Sequence, residues 1–360
     1  MNKAAFYDNT ISYEANYEKG PPISSQKVIP PKRNIAKKSK HLGFEVNLPF
    51  GIPPGPLLNS KFIKEAFAWG FDISTYKTVR SNVFPCHPFP NVLYVDIDGD
   101  LHPEKTPTLV AKPTTSKSQK DFSITNSFGV PSQAPEIWQE DVRKAISYEG
   151  NGQLMILSFM GTVWPDQTRQ DFITDHALSA KLANETGAKV LEVNLSCPNL
   201  GNEGLVCYDL SMTAEVCKMM RKEIGNKPLI LKVGYYTSDK DIQRLSEIAN
   251  EYANAVAAIN TLQVEVVDES GKQALPGSNR ARSGICGASI KWAGLEMTKK
   301  LREIREKKNY SFEIVGIGGV MTAEDYKEYR DAGADCVQSA TGAMWNPNLA
   351  YDVWKSENKV

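Results

Sequence analysis

Residues 313–342 read EIVGIGGVMTAEDYKEYRDAGADCVQSATG. The first and last seven positions are short apolar runs with the composition of buried strands. Between them Thr322, followed by Glu324 and Asp325, opens a helix in the expected manner, and Gly333 closes it. Strand, helix, strand within 30 residues is a unit whose two strands run parallel. The same unit recurs along the chain. Strands are expected at 51–58, 71–79, 154–160, 190–196, 229–235, 255–260, 313–319 and 336–342. Helices are expected at 61–69, 134–149, 166–186, 211–224, 238–252, 289–307, 322–332 and 349–355, with Gly187 ending the third. Eight of each in alternation predict an α/β fold, a (β/α)8 TIM barrel. A doubly wound open sheet fits less well, because no GxGxxG turn follows the first strand.

The remaining segments divide the chain. Residues 1–43 carry Pro21-Pro22, Pro30-Pro31-Lys32-Arg33 and Lys37-Lys38-Ser39-Lys40. They predict an extended or partly ordered, solvated arm ahead of a barrel domain at 44–360. Residues 80–125 predict a long loop inserted between the second strand and the second helix. Forty-two basic residues balance 42 acidic ones, so nothing calls for nucleic acid or an anionic membrane as partner. No apolar run is long enough to span a bilayer and no secretory signal opens the chain, so a cytoplasmic setting is expected. The six cysteines, at 86, 197, 207, 217, 286 and 336, contain no CxxC pair. That argues against zinc, iron–sulfur and disulfide frameworks.

A barrel places its reactive residues at the C-terminal ends of its strands. The polar residues expected there are Asn59, Lys77, Ser158, Asn194, Lys232, Asn260, Gly318-Gly319 and Thr341. A single polar strand end is most often a solvated terminus. Lysines and asparagines together at one mouth point to a site, since buried lysine is rare. Gly318, Gly319 and Thr341 follow the last two strands, where this fold often builds a phosphate cradle from backbone N–H groups. The segment 283–289, with Gly287, is a third glycine-rich candidate for it. The fourth strand runs into Leu191-Glu192-Val193-Asn194-Leu195-Ser196-Cys197-Pro198-Asn199. A cysteine at a strand end usually packs as a small hydrophobe. Flanking carboxamides and a following Gly201/Gly204 loop, which suits a lid, favour chemistry instead.

The string from Leu191 to Asn199 resembles the signature of the class 1 dihydroorotate dehydrogenases and of the dihydropyrimidine dehydrogenase catalytic domain. It comes with Leu48-Pro49-Phe50-Gly51, Tyr76-Lys77-Thr78, Asn126-Ser127-Phe128-Gly129-Val130-Pro131, Leu231-Lys232 and Asn260-Thr261, in family order over about residues 44–350. The resemblance implies an FMN flavoenzyme that oxidises a 5,6-dihydropyrimidine, foremost (S)-dihydroorotate to orotate. Cys197 would be the acid/base at C5, with hydride passing from C6 to flavin N5. Lys77 would serve catalysis and touch both ligands. Asn126, Phe128, Gly129, Val130, Asn194, Asn199, Asn260 and Thr261 would bind the pyrimidine. Pro54, Gly55, Lys77, Thr78, Ser158, Asn194, Lys232, Asn260, Gly287, Gly318, Gly319, Ala340 and Thr341 would hold FMN. A homodimer is implied, while the acceptor stays open between fumarate and a partner subunit. The sequence departs from the family at 52–56, at Phe128 and across 80–102. Two other functions remain: a uracil- or thymine-type dihydropyrimidine dehydrogenase subunit, and a non-catalytic FMN-binding barrel.

Overall fold

The computed structural model describes residues 4–26, 28–35, 37–162, 164, 167–196 and 206–358. Eight parallel strands close into a barrel: Phe50–Ile52, Ile73–Val79, Leu154–Phe159, Val190–Asn194, Leu229–Val233, Ala255–Ala258, Glu313–Ile317 and Cys336–Gln338. Every strand lies inside an expected one or overlaps it, and the eighth pairs with the first through Val337 and Phe50. The expected helices are all present, for example Arg169–Asn184 and Ala323–Ala332. Each of these two begins with a full capping box, Thr168 with Asp171 and Thr322 with Asp325. Alternate residues point inward: Ile73, Leu154, Ile156, Val190, Ile230, Ala255, Ala257, Val315, Ile317 and Cys336 fill the interior as one apolar cluster.

Three expectations need correction. The first strand ends at Ile52 rather than 58, because Pro53, Pro54 and Pro56 lack the N–H groups that a ladder requires. The insertion is not a loop. It forms strands Val92–Val95, Thr108–Lys112 and Ser123–Asn126, which pair with Leu262–Val267 and Arg282–Gly287 from beyond the sixth barrel strand. These five close into a second, smaller barrel over the mouth of the first.

The N-terminal arm is also not simply solvated. Phe6 and Tyr7 are fully buried, Tyr13–Lys19 is helical with Ser12 as its cap, and Arg33 grips Asp72 through two 2.9 Å bonds. Burying two aromatic side chains stabilises the docked arm by about 1.5–3 kcal/mol each, which outweighs the basic, proline-rich character that suggested a free arm. The opposite end of the barrel is plugged by a hairpin, Ser39–His41 with Phe44–Val46. Its turn residues Leu42 and Gly43 both have positive φ, as a two-residue hairpin prefers. Leu42 enters the interior cluster, and Glu313 receives His41 Nδ1 at 2.7 Å and the Leu42 N–H at 2.8 Å.

Candidate active site

The floor of the site is the C-terminal end of the barrel. On the second strand the register with the third slips between Tyr76 and Val79. Such a bulge re-aims side chains, and it places Lys77 and Thr78 together opposite Ser158. Thr78 Oγ1 bonds Ser158 Oγ at 3.0 Å. Lys77 Nζ donates to the Gly55 carbonyl at 3.1 Å and lies 4.8 Å from the centre of the Phe128 ring, a cation–π distance. On the fourth and fifth strands Asn194 and Lys232 are register partners. Both are buried, at 6% and 7% exposure. Beyond the sixth strand, Asn260 Nδ2 donates to the Ser196 carbonyl and reaches Asn194 Oδ1 at 3.5 Å. The two carboxamides therefore stand side by side. Thr261 Oγ1 is buried without a partner among the described residues, a group that a ligand can satisfy.

The roof is the smaller barrel. Asn126 ends one of its strands and donates Nδ2 to Cys286 Sγ at 3.3 Å. Burial raises the Cys286 pKa, which favours its thiol form. After Asn126 the chain bends through Gly129 and Val130, both at positive φ, +75° and +54°. This is an uncommon conformation for a β-branched residue. Two buried arginines clamp this bend. Arg80 donates to the carbonyls of Val130 at 2.9 Å, Gly129 at 3.2 Å and Gly161 at 3.2 Å. Arg280 donates to Ser127 Oγ at 3.1 Å, Ser127 O at 3.0 Å, Pro88 O at 2.8 Å and Pro90 O at 3.1 Å. Beside them burial and both guanidinium groups push the His87 pKa down to about 4, so its ring is neutral where it meets Ser127 Oγ at 3.2 Å.

The third wall follows the last two barrel strands. Gly318 and Gly319 have φ of +126° and +67°. A Cβ on Gly319 would come within 2.7 Å of the Lys291 backbone, so only glycine lets the chain turn here. The Tyr329 hydroxyl fixes the turn by donating to Gly318 O at 2.6 Å. Ala340 and Thr341 begin the short helix Thr341–Trp345 alongside. Glycine backbone and a helix start form a cradle suited to an anionic group.

One pocket gathers Gly55, Asn126, Phe128, Lys232, Asn260, Thr261, Ala340 and Thr341. Lys77 and Asn194 adjoin it through Gly55, Phe128 and Asn260, whereas Thr78 and Ser158, bonded to each other, and Gly318 and Gly319, which follow the pocket residue Ile317, do not line it. Pro54 neighbours Gly55 in the chain. Gly129 and Val130 form the clamped bend behind Phe128. Gly287 pairs with Ser123, and a Cβ there would lie 2.7 Å from Phe122 O, so close strand packing accounts for that glycine. Asn59 belongs elsewhere, capping the helix Ser60–Ala68. Cys197, Asn199 and the expected 201–204 lid lie outside the described residues. Sequence reasoning missed Tyr7, which crosses from the arm to meet Phe128 edge-on at 5.4 Å. It also missed Cys286 and both arginines. Arg80 carries one signal in sequence, its place three residues after Lys77, whereas Arg280 carries none.

Fold and site together define a (β/α)8 barrel with its pocket at the C-terminal mouth. The family profile described as "Dihydroorotate dehydrogenase" matches residues 107–356. A dihydroorotate dehydrogenase of Dictyostelium discoideum is 37% identical, over 98% of this chain and 97% of its own. The catalytic subunit of a dihydroorotate dehydrogenase B (NAD(+)) from Maridesulfovibrio salexigens is 32% identical over 51% of this chain and 58% of its own. In three dimensions the chain superposes on the dihydroorotate dehydrogenase of Eimeria tenella, solved in complex with ferulenol. The TM-score is 0.70 at 15% identity, over 91% of this chain and 85% of that one. The chain belongs to the dihydroorotate dehydrogenase family.

Proposed function

We propose that this chain binds FMN and oxidises (S)-dihydroorotate to orotate. The observation that carries the reading is the convergence of Lys232, Asn126, Asn260, Thr261 and Thr341 on one pocket, with Lys77 at its wall. The Gly318–Gly319 turn and the start of the Thr341–Trp345 helix suit the FMN phosphate, and Lys232 suits the edge of the ring that gains negative charge. Bound there, FMN supplies a hydride acceptor for C6 of the substrate. The chain's own residues do the rest. Asn126, Asn194, Asn199 and Asn260 offer donors and acceptors matched to a flat ring of carbonyls and N–H groups. Lys77 offers its ammonium to the substrate carboxylate. Cys197 takes the C5 proton, a task suited to a thiol, whose ordinary pKa is about 8.5.

The chain as a cytoplasmic homodimer belongs to the same proposal. No described helix is long and apolar enough to cross a membrane, and light scattering tests the dimer. The decisive experiment is anaerobic addition of dihydroorotate, and separately dihydrouracil, to the purified yellow protein. Bleaching by dihydroorotate alone is expected. Bleaching by dihydrouracil alone would move the substrate class to the uracil type, and bleaching by neither would leave a binding barrel. Reoxidation by fumarate or by NAD then identifies the acceptor. Cys197→Ala should retain FMN and slow bleaching by about 10²–10⁴-fold. An unchanged rate would remove Cys197 from the reaction.

A further inference from the structure

Glu192 is a buried carboxyl group that the proposed reaction does not use. It lies on the fourth barrel strand between Val190, part of the interior cluster, and Asn194, at the pocket floor. The strand's alternation therefore turns Glu192 into the barrel. It has no exposed surface, and its oxygens make no hydrogen bond of good geometry among the described residues, the Ser158 hydroxyl on the adjacent strand being the polar group that faces it. Its register partners are Ser158 on the third strand and Ile230 on the fifth. Lys232 stands two residues above Ile230, diagonal to Glu192 on the adjacent strand, with both side chains on the inner face. Burial raises the pKa of the carboxyl group, while the Lys232 ammonium is the main influence opposing that rise.

An isolated carboxylate in such an interior costs several kcal/mol, and a valine there would cost nothing. The neighbouring interior positions Val190 and Ile230 are apolar. The charge that accounts for a carboxyl group at this depth is the Lys232 ammonium, diagonal to it on the adjacent strand. Lys232 lines the pocket, and burial favours the neutral form of any lysine unless an anion is near.

We propose that Glu192 is a positioning residue, the buried countercharge diagonal to Lys232 that offsets its ammonium and so limits the positive charge offered to the bound cofactor. This rests on the reading of the pocket as an FMN site. Without Lys232 the buried carboxylate has lost its partner and takes up a proton.

Two measurements test the proposal, on wild type, Glu192→Gln, Lys232→Met and the double variant. The first is the midpoint potential of bound FMN. Glu192→Gln leaves the Lys232 charge uncompensated at the pocket, so the ratio of reduced to oxidised flavin at a fixed poise should rise roughly tenfold. In the Lys232→Met background the same change should do nothing, because Glu192 is already neutral there. No shift in the wild-type background, or equal shifts in both, would overturn the pairing. The second measurement needs no flavin. The infrared difference spectrum of Lys232→Met against Lys232→Met/Glu192→Gln should contain a carboxylic-acid C=O band, absent when wild type is compared with Glu192→Gln. A carboxylate signature in Lys232→Met would refute the ion pair even in protein that binds no flavin. Absence of flavin from the wild type would refute the FMN reading alone.

Discussion

The two barrels that enclose the pocket are built on opposite principles. In the large barrel, strands neighbour one another in chain order except where the eighth closes on the first, and each strand–helix unit is built from local signals. In the small barrel, Ser123–Asn126 pairs with Arg282–Gly287, and Thr108–Lys112 pairs with Leu262–Val267. Segments more than 150 residues apart must meet before either is stable. The large barrel buries its strands on both faces with aliphatic side chains. The small one, with strands of four to six residues, is held to the pocket by guanidinium groups that bind carbonyls. This contrast suggests that the floor supplies a fixed chemical geometry and the roof supplies a substrate-reading surface that can be loosened separately.

The strongest way to break that contrast is Arg280→Met. Arg280 is 1% exposed and binds the carbonyls of Pro88, Pro90, Ser127 and Pro276. Its removal leaves several buried acceptors unpaired, each costing about 1–3 kcal/mol. Urea melts should show a loss of about 3–5 kcal/mol, and the KM for dihydroorotate should rise by more than tenfold while bound FMN is retained. Arg80→Met should do the same through Gly129 and Val130. Loss of FMN in parallel with the KM rise would show that roof and floor form one cooperative unit.

How much of this could be read from sequence follows from the same contrast. Strand–helix alternation reveals the large barrel because each signal is local: an aliphatic run, a cap such as Thr322, a closing glycine such as Gly333. It also reveals Lys232 and Asn194, which sit where a regular strand ends. Lys77 was found by position, but its aim comes from a bulge after Tyr76 that has no residue signature. Asn59 reads as a polar strand end because a helix cap and a ligand-binding carboxamide look alike there. The small barrel reads as a loop in sequence, since short strands such as Val92–Val95 and Thr108–Lys112 gain their sheet only when Leu262–Val267 and Arg282–Gly287 join them. Arg280 and Tyr7 enter the site through tertiary packing alone.

Acid should probe the large barrel more than the small one. His176, on the helix Arg169–Asn184, is completely buried and held by burial at a pKa of about 4, against 6.5 when free. Between pH 6.5 and 4 the unfolded chain takes up a proton that the native state refuses, so stability falls as pH falls through that window. The whole drop is about 3 kcal/mol for this one group. His87 in the roof has a similar pKa but is only half-buried, and its share should be smaller after solvent screening. His176→Gln should therefore flatten the pH dependence of the melting temperature between 6.5 and 4 more than His87→Gln does. The reverse order would place the acid-labile element in the roof.

The smallest test compares two threonines of similar expected worth. Thr322→Ala removes half of the capping box of Ala323–Ala332, on the outside of the large barrel, and should cost about 1 kcal/mol. Thr125→Val removes a hydroxyl that donates to Ser283 Oγ at 2.8 Å across two strands of the small barrel, at about 1 kcal/mol as well. Thr125 immediately precedes Asn126 and is fully buried, so slack at this cross-strand bond passes directly to the carboxamide above the substrate. Melting temperatures of the two variants should agree within a few degrees. Only Thr125→Val should raise KM, by a few-fold, with kcat held. If Thr322→Ala raised KM equally, the cradle formed by Gly318, Gly319 and the Thr341 helix start would share the work of reading the substrate, and the division between a chemical floor and a reading roof would fail.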